Sequence, residues 1–468
     1  MLTRSEVKKH STRRSCWIII AGTVYDVTDF VDEHPGGPNI LLQYAGRDAT
    51  EAFEPFHQTD TLQTHLSNRQ ILGALTDEEP QKKPSSTRQT TALSSKKRKV
   101  KLPSIISISD FEYAASQILP PRSFAFLKSG AEDELATKWN RTSWKTLRLR
   151  PRVLRPITHI NTSTTLLGNP FSLPFFICPA GGAKLSHPEG DKCLTKVAAK
   201  HGILHWTCSN SSFSVEEMAK ARGEGQVAYW QIYAMKDLKS TERQVRRAVE
   251  LGFKGFALTV DAVWAGKREG DLRANIAEEE EGEFGDEDDE NSNFSKGPTV
   301  ARSPVWPHFD WPSAVTWLRT LTDLPIAIKG IQTWEDAALC MQYSVHPWLS
   351  NHGGRQLDGA PSAAETLVSI RQNCPGVFDK CEVIVDGGIT RGSDIVKALA
   401  LGAKGVGLGR AFLYSIAFGE VGASKAIRIL EHEVQTTMAL LGVTDIGQLN
   451  CSYVDASSLA MGYTRSLL

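Results

Sequence analysis

The sequence contains no Cys-x-x-Cys pair, and its eight cysteines are scattered over 468 residues. That spacing argues against a zinc site and a disulfide framework, and makes a reducing compartment the default. No apolar run reaches the length of a membrane-spanning helix; CWIII and LPFFICPAGGA are too short, so no membrane partner is expected. Neither charge is in excess: 53 Lys and Arg face 53 Asp and Glu. A generally nucleic-acid-binding surface would be clearly basic, so no nucleic-acid partner is expected either. The N-terminus is basic but lacks a long apolar signal core, and with no readable presequence the cytosol is the expected location. What remains is an ordinary globular composition, 41% hydrophobic and 23% charged, in a chain long enough for two or three domains.

Two segments cannot bury much apolar surface. Residues 76–104, rich in Pro, Ser, Thr and charge, read as a flexible linker. Within them, KKRKVK fits a nuclear-localisation pattern, but a solvated basic hinge is the simpler reading. Residues 277–298 are the second segment. Ten of the thirteen residues from Glu278 to Glu290 are acidic. Such a block repels itself, so a disordered acidic loop is expected, set within a domain because strand-like patterns continue on both sides. The expected division is therefore 1–75, the linker 76–104, and 105–468.

In the first block, WIIIAGTVYDVTDF is rich in β-forming residues, the chain turns at HPGG, and helical patterns follow. His57 lies 23 residues after His34. Two imidazoles on opposing segments could sandwich a haem and fill both axial positions of its iron. Iron closed in that way carries electrons rather than binding oxygen.

Eight short β-like runs mark the second block: FFICPA (175–180), ILHWTC (203–208), VAYWQIY (227–233), GFALTVDA (255–262), PIAIKG (325–330), WLSN (348–351), EVIVDGG (382–388) and GVGLGR (405–410). Amphipathic stretches of helical period lie between most of them. Strand then helix, eight times over, predicts an α/β fold of the (β/α)8 TIM-barrel type, with its active site at the C-terminal ends of the strands. Those ends carry Gln231 and Tyr233, Thr259 and Asp261, Lys329, SNHGGRQLD, DGGITRG and GLGR, with Arg268 a little beyond the fourth run. Glycine turns after strands seven and eight, backed by Arg410, predict a phosphate-bearing cofactor.

A chemistry follows from these residue types. Neutral His352 can take a proton, and Asp261 can orient it and stabilise the resulting cation. Arg355 suits a carboxylate, Lys329 can stabilise charge on a cofactor ring, and Tyr233 can hydrogen-bond a substrate oxygen. Together they suggest oxidation of a small 2-hydroxy acid.

GTVYDVTDF, HPGG and AGRDATEAF…H resemble a small α+β cytochrome b5-like haem domain over residues 1–75, which implies haem b with His34 and His57 as iron ligands. The motifs SNHGGRQLD, LTVDA…GKREGD, IKGIQTWEDA and DGGITRGSDIVKALALGAKGVGLGRAFL resemble the FMN-dependent 2-hydroxy-acid dehydrogenases and oxidases. The two blocks together are similar to the flavocytochrome b2-like L-lactate dehydrogenases. The resemblance implies that His352 is the base with Asp261 as its partner. It implies that Arg355 and Arg268 hold the substrate carboxylate and developing charge, and that Tyr233 contacts the substrate. Lys329 would sit beside the flavin, with Gln231 and Thr259 at its polar edge. Ala180 and Gly181 would lie near its reactive nitrogen, and Cys208 or Ser209 close to the ring. Asp386, Gly387, Gly388, Gly409 and Arg410, with Arg391 sharing the load, would serve the phosphate end. It further implies a homotetramer, electron delivery to cytochrome c or a similar acceptor, and the mitochondrial intermembrane space as an alternative location.

Three departures stand against the resemblance. Phe126 replaces a usual tyrosine, Thr390 a usual arginine, and strand six reads YSVHPWLSN, one residue short with a proline inside. Proline cannot donate to a ladder, so distortion around His346-Pro347 is expected to disturb His352. Two further readings therefore stay open: an oxidase that uses oxygen, and a degenerate haem- or flavin-binding protein without activity.

Overall fold

The computed structural model describes residues 2–34, 38–57, 61–76, 100–280 and 305–460. The glycines of HPGG, linker residues 77–99 and acidic residues 281–298 lie outside the described residues. The chain falls into two compact units, Met1–Ser104 and Ile105–Leu468.

The first unit is built on an antiparallel sheet in the order β1 (Ser11–Thr12), β2 (Ser15–Ile20), β3 (Thr23–Asp26), β4 (Ile71–Ala74). Alternation along β2 sends Cys16, Ile18 and Ile20 into a core with Val27, Val31, Ala45, Ala49 and Leu66. Ile19 packs on the other face with Val7 and Val24. Short helices Pro38–Gln43, Thr50–Phe53 and Thr61–His65 cover the first face. Thr76 N–H donates to the Leu2 carbonyl at 3.0 Å, so the first residue of the expected linker belongs to this unit.

In the second unit all eight expected runs form parallel strands: β5 (Phe175–Ile177), β6 (Trp206–Cys208), β7 (Tyr229–Ile232), β8 (Phe256–Thr259), β9 (Ile326–Ile331), β10 (His346–Leu349), β11 (Ile384–Asp386) and β12 (Gly405–Leu408). Their order is β5-β12-β11-β10-β9-β8-β7-β6, and an Ile177–His205 bridge joins the two ends into a (β/α)8 barrel. The strands are buried on both faces, which is why they read as short, nearly continuous apolar runs. Large rings fill the interior: Trp206 lies 4.6 Å from Trp348 and 4.9 Å from Tyr229. A hairpin, Thr164–Leu166 with Asn169–Phe171, closes the N-terminal end. It is pinned by the Tyr229 hydroxyl donating to the Leu166 carbonyl at 2.6 Å.

Two expectations need correction. Strand six begins at His346 rather than Trp348, and Pro347 lies inside it, opposite Ile328. The strand survives because it pairs on both sides, with β9 and with β11. His346 Nδ1 also accepts the Glu382 amide at 3.0 Å, which ties the start of the strand to the segment before β11. The register slip falls on β9, between Lys329 and Ile331. The acidic stretch does not begin as loop either: helix Glu269–Glu280 carries four residues into it. Alanine and glutamate are strong helix formers, so a helix begun at Glu269 propagates into the charge run.

Candidate active site

The C-terminal mouth of the barrel holds a cleft of about 300 Å³, the size of a small-molecule site. It is lined by Ala180, Gly181, Gln231, Tyr233, Thr259, Arg268, Lys329, His352, Arg355, Asp386, Gly387, Gly388, Gly409 and Arg410. Residues from seven strand ends thus meet in one place. Asp261 stands directly behind them, its side chain 3% exposed, with Oδ1 2.8 Å from His352 Nδ1.

The segment after β10 shows how the base is aimed. His352 has φ +59°, and Gly353 and Gly354 follow in the same left-handed region. A Cβ on Gly354 would come within 2.3 Å of Thr137 Oγ1, so only glycine lets the turn dock on helix Leu135–Thr146. Asn351 and Asn140 of that helix exchange two amide hydrogen bonds, at 2.7 and 3.0 Å. Asp358 accepts the Leu135 and Ala136 amides at the helix start. The turn is therefore anchored on both flanks, and its left-handed strain is held in place by packing.

Electrostatics divide the cleft into functional ends. Burial pushes the Asp261 pKa up, but His352 and Lys329 outweigh it and hold the carboxyl below its usual value. Its Oδ2 is buried without a hydrogen-bond partner among the described residues, a cost that a cation on His352 would offset. Burial, with Arg268 and Arg410 nearby, drives the Arg355 pKa well below its usual value. Among the described residues, Arg355 donates only to the carbonyls of Phe126 and Ser129, at 2.6 and 3.0 Å. Arg410 likewise donates to the Leu127, Ser129 and Gly353 carbonyls. Cations crowded together with carbonyls as their partners form a site for anions. Phe126 faces this cluster with its ring, 4.9 Å from the Arg355 guanidinium and 5.4 Å from that of Arg268. Burial raises the Tyr233 pKa well above its usual value, so its hydroxyl remains a donor.

The residues present fit FMN. Gln231 Nε2 donates to Thr259 Oγ1 at 2.8 Å, while its Oε1 is buried without a partner among the described residues, an acceptor that a ring N–H would satisfy. Gly388 packs so closely on Asn140 that a Cβ would come within 1.8 Å of that carbonyl. The bare backbone beside it is open to a phosphate. Burial opposes the charge on Lys329, but Asp386 and Asp261 prevail and raise its pKa.

Not every expected residue arrives. Cys208 and Ser209 are absent from the cleft lining, where Asn210 stands instead. Cys208 is the last residue of β6, and its sulfur accepts the Asn210 amide at 3.3 Å. Arg391 turns away and pairs with Glu433 at 2.8 Å. Sequence reasoning missed Asn140, Arg141, Cys178, Asn210 and Tyr414, all of which line the cleft. It also gave Ser350 and Asn351 no role, although both stand in the SNHGGRQLD motif.

In the first unit, the His34 and His57 ring centroids are 5.9 Å apart. Two imidazoles bound at about 2 Å on opposite sides of an iron put their centroids about 6 Å apart, so the spacing fits a haem. His57 Nδ1 lies 2.9 Å from the Phe53 carbonyl, an orientation that leaves Nε2 for the metal. Among the described residues, no group of three or more His, Cys, Asp or Glu could hold a metal ion.

Known proteins match the chain as follows. A family model described as FMN-dependent dehydrogenase matches residues 115–456, and one described as a cytochrome b5-like heme/steroid binding domain matches residues 3–76. An L-lactate dehydrogenase (cytochrome) of Wickerhamomyces anomalus is 37% identical over 464 residues, 98% of this chain and 80% of the relative. A peroxisomal (S)-2-hydroxy-acid oxidase of Oryza sativa subsp. japonica is 36% identical over 355 residues, 75% of this chain and 95% of the relative. Among solved structures, a double mutant of flavocytochrome b2 with pyruvate bound is 35% identical with a TM-score of 0.70, covering 78% of this chain and 90% of that one.

Proposed function

Since the chain belongs to the FMN-dependent dehydrogenase family and carries a cytochrome b5-like domain, we propose that it oxidises L-lactate, or a close L-2-hydroxy acid, to the 2-keto acid. When bound, FMN supplies a two-electron acceptor and haem b a one-electron carrier that hands electrons to cytochrome c or a similar protein. The observation that carries the reading is His352, held by Asp261 at 2.8 Å, in one cleft with the guanidiniums of Arg355 and Arg268.

Oxidising the alcohol to a ketone removes two electrons and two protons from the substrate. Arg355 and Arg268 take its carboxylate in place of water. Tyr233 donates to a substrate oxygen. Nδ1 of His352 faces Asp261, so Nε2 receives one proton from the hydroxyl-bearing centre, the two electrons and the second proton passing to FMN when bound. Asp261 stabilises the imidazolium, as the aspartate of a triad does. Lys329 places positive charge on the floor of the cleft.

The oxidase alternative is less favoured, because the oxidase relative aligns with 75% of this chain and the cytochrome-type relative with 98%. The inactive reading rested on Phe126, Thr390 and Pro347, and of these the strand that holds Pro347 is paired on both sides. A homotetramer would give exposed apolar residues such as Val153 and Leu154 a surface to pack on.

The test is an anaerobic visible spectrum of the purified chain before and after L-lactate. Bleaching of the flavin band with sharpening of the reduced haem bands is expected. Both cofactors present but silent towards a series of L-2-hydroxy acids would overturn the reading.

A further inference from the structure

Trp348 takes no part in the reaction above, yet it reaches the two charged groups beneath the cleft. It is fully buried in β10, where it stands opposite Lys329 in register. Its indole N–H donates to Asp386 Oδ2 at 3.0 Å. The other carboxylate oxygen accepts the Ser350 hydroxyl at 2.7 Å, and Ser350 accepts from Lys329 Nζ at 3.0 Å. Lys329 Nζ is 3.7 Å from Asp386 Oδ2, an ion pair too long to be a hydrogen bond, and 5.7 Å from the Trp348 ring centroid.

A buried ammonium and carboxylate attract strongly, and a free pair closes to about 2.8 Å. Here Oδ2 is already occupied. Its other near neighbour is the Cys178 thiol, at 3.8 Å and a weak donor. The indole is the donor that competes with Lys329 for this oxygen.

We infer that Trp348 is a positioning residue for Lys329: by occupying Asp386 Oδ2, its indole N–H leaves the ammonium directed at the cleft and the bound FMN ring. The inference rests on the proposed function, in which that ring lies against Lys329. Without the indole N–H, Asp386 draws Lys329 towards itself, and the ring loses a positive charge that favours its reduced form.

The test is a redox titration of the FMN-loaded full chain, followed at the flavin absorbance. Trp348→Phe keeps an aromatic ring in the barrel interior and removes the donor together with part of the ring volume. Its flavin is expected to hold electrons about tenfold less tightly, a midpoint potential about 30 mV lower for the two-electron couple. In a Lys329→Met background the same substitution is expected to change nothing, because the effect runs through Lys329. Asp386→Asn, which removes the competing charge, is expected to raise the potential, and it serves as the test if the Phe variant does not fold. An unshifted potential in FMN-loaded Trp348→Phe, an equal shift in both backgrounds, or a lowered potential in Asp386→Asn would overturn the inference while leaving the functional reading standing. A wild-type chain that takes up no FMN would sink both.

Discussion

In the barrel, protein atoms alone tie the working side chains together: His352 to Asp261, Lys329 to Ser350, Gln231 to Thr259. In the smaller unit, His57 leans on the Phe53 carbonyl and stacks on the Phe53 ring at 4.1 Å. The barrel site is thus organised ahead of its ligands, which suits chemistry that depends on fixed charges. The haem site is two imidazoles at a suitable spacing, and the metal bonds themselves complete it. Ligand binding then contributes directly to the stability of the smaller fold.

The largest effect should come from breaking the half that depends on its ligand. His34→Ala removes one axial ligand, so the haem absorbance should be lost and cytochrome c reduction with it. Flavin reduction by L-lactate, read with ferricyanide as acceptor, should persist near the wild-type rate. Its loss as well would mean that the two sites are not built independently. Next in size is His352→Gln. Turnover should fall about 10²- to 10⁴-fold, with the haem spectrum and FMN content unchanged. A modest loss would show that His352 is not the base.

A smaller effect would sharpen the idea that the barrel's order is internal. Asp191 lies 1% exposed and accepts the Ser211 hydroxyl at 2.8 Å. Burial lifts its pKa to about 6. Between the usual carboxylate value and pH 6, the folded chain keeps a proton that the unfolded chain releases, so this group costs stability as pH rises through that window. His205, its buried neighbour, is pushed down to about 3 by burial and acts in the opposite sense. Asp191→Asn should therefore raise the barrel Tm above pH 6, by about 4 °C for a cost of about 3 kcal/mol. Near pH 4 it should change little. An equal shift at both pH values would mean that packing, not charge, is responsible.

The sequence showed the barrel more clearly than its wiring. Parallel strands buried on both faces must be apolar throughout, so each appears as a run, and the polar residues that interrupt the runs mark the strand ends. His352, Arg355, Lys329 and Gln231 were legible for that reason. Pro347 misled because a missing N–H is visible in sequence, whereas the His346 ring that takes up the Glu382 amide is not. The Asn140–Asn351 pair joins residues 211 positions apart, and Arg391 finds Glu433 42 positions away. No local pattern reports contacts of that range. Cys208 ends β6 and Asn210, two residues on, lines the cleft, a difference inside the usual uncertainty of a strand end.

The smallest predicted effect concerns Phe126, a place where the barrel site is less complete than the resemblance implied. Its ring lies within 6 Å of two guanidiniums, so it already contributes as an aromatic face and helps to hold Arg268 and Arg355 in place. Phe126→Tyr would keep that face and add a hydroxyl beside the groups that take the substrate carboxylate. A neutral hydrogen bond to a charged partner adds about 1 kcal/mol net, or a little more. KM for L-lactate should therefore fall about fivefold, with the haem spectrum untouched. If KM instead rises, the added oxygen is displacing a guanidinium. The phenylalanine would then be matched to its two arginines, and the barrel's preorganisation would extend to the residue that looked like its defect.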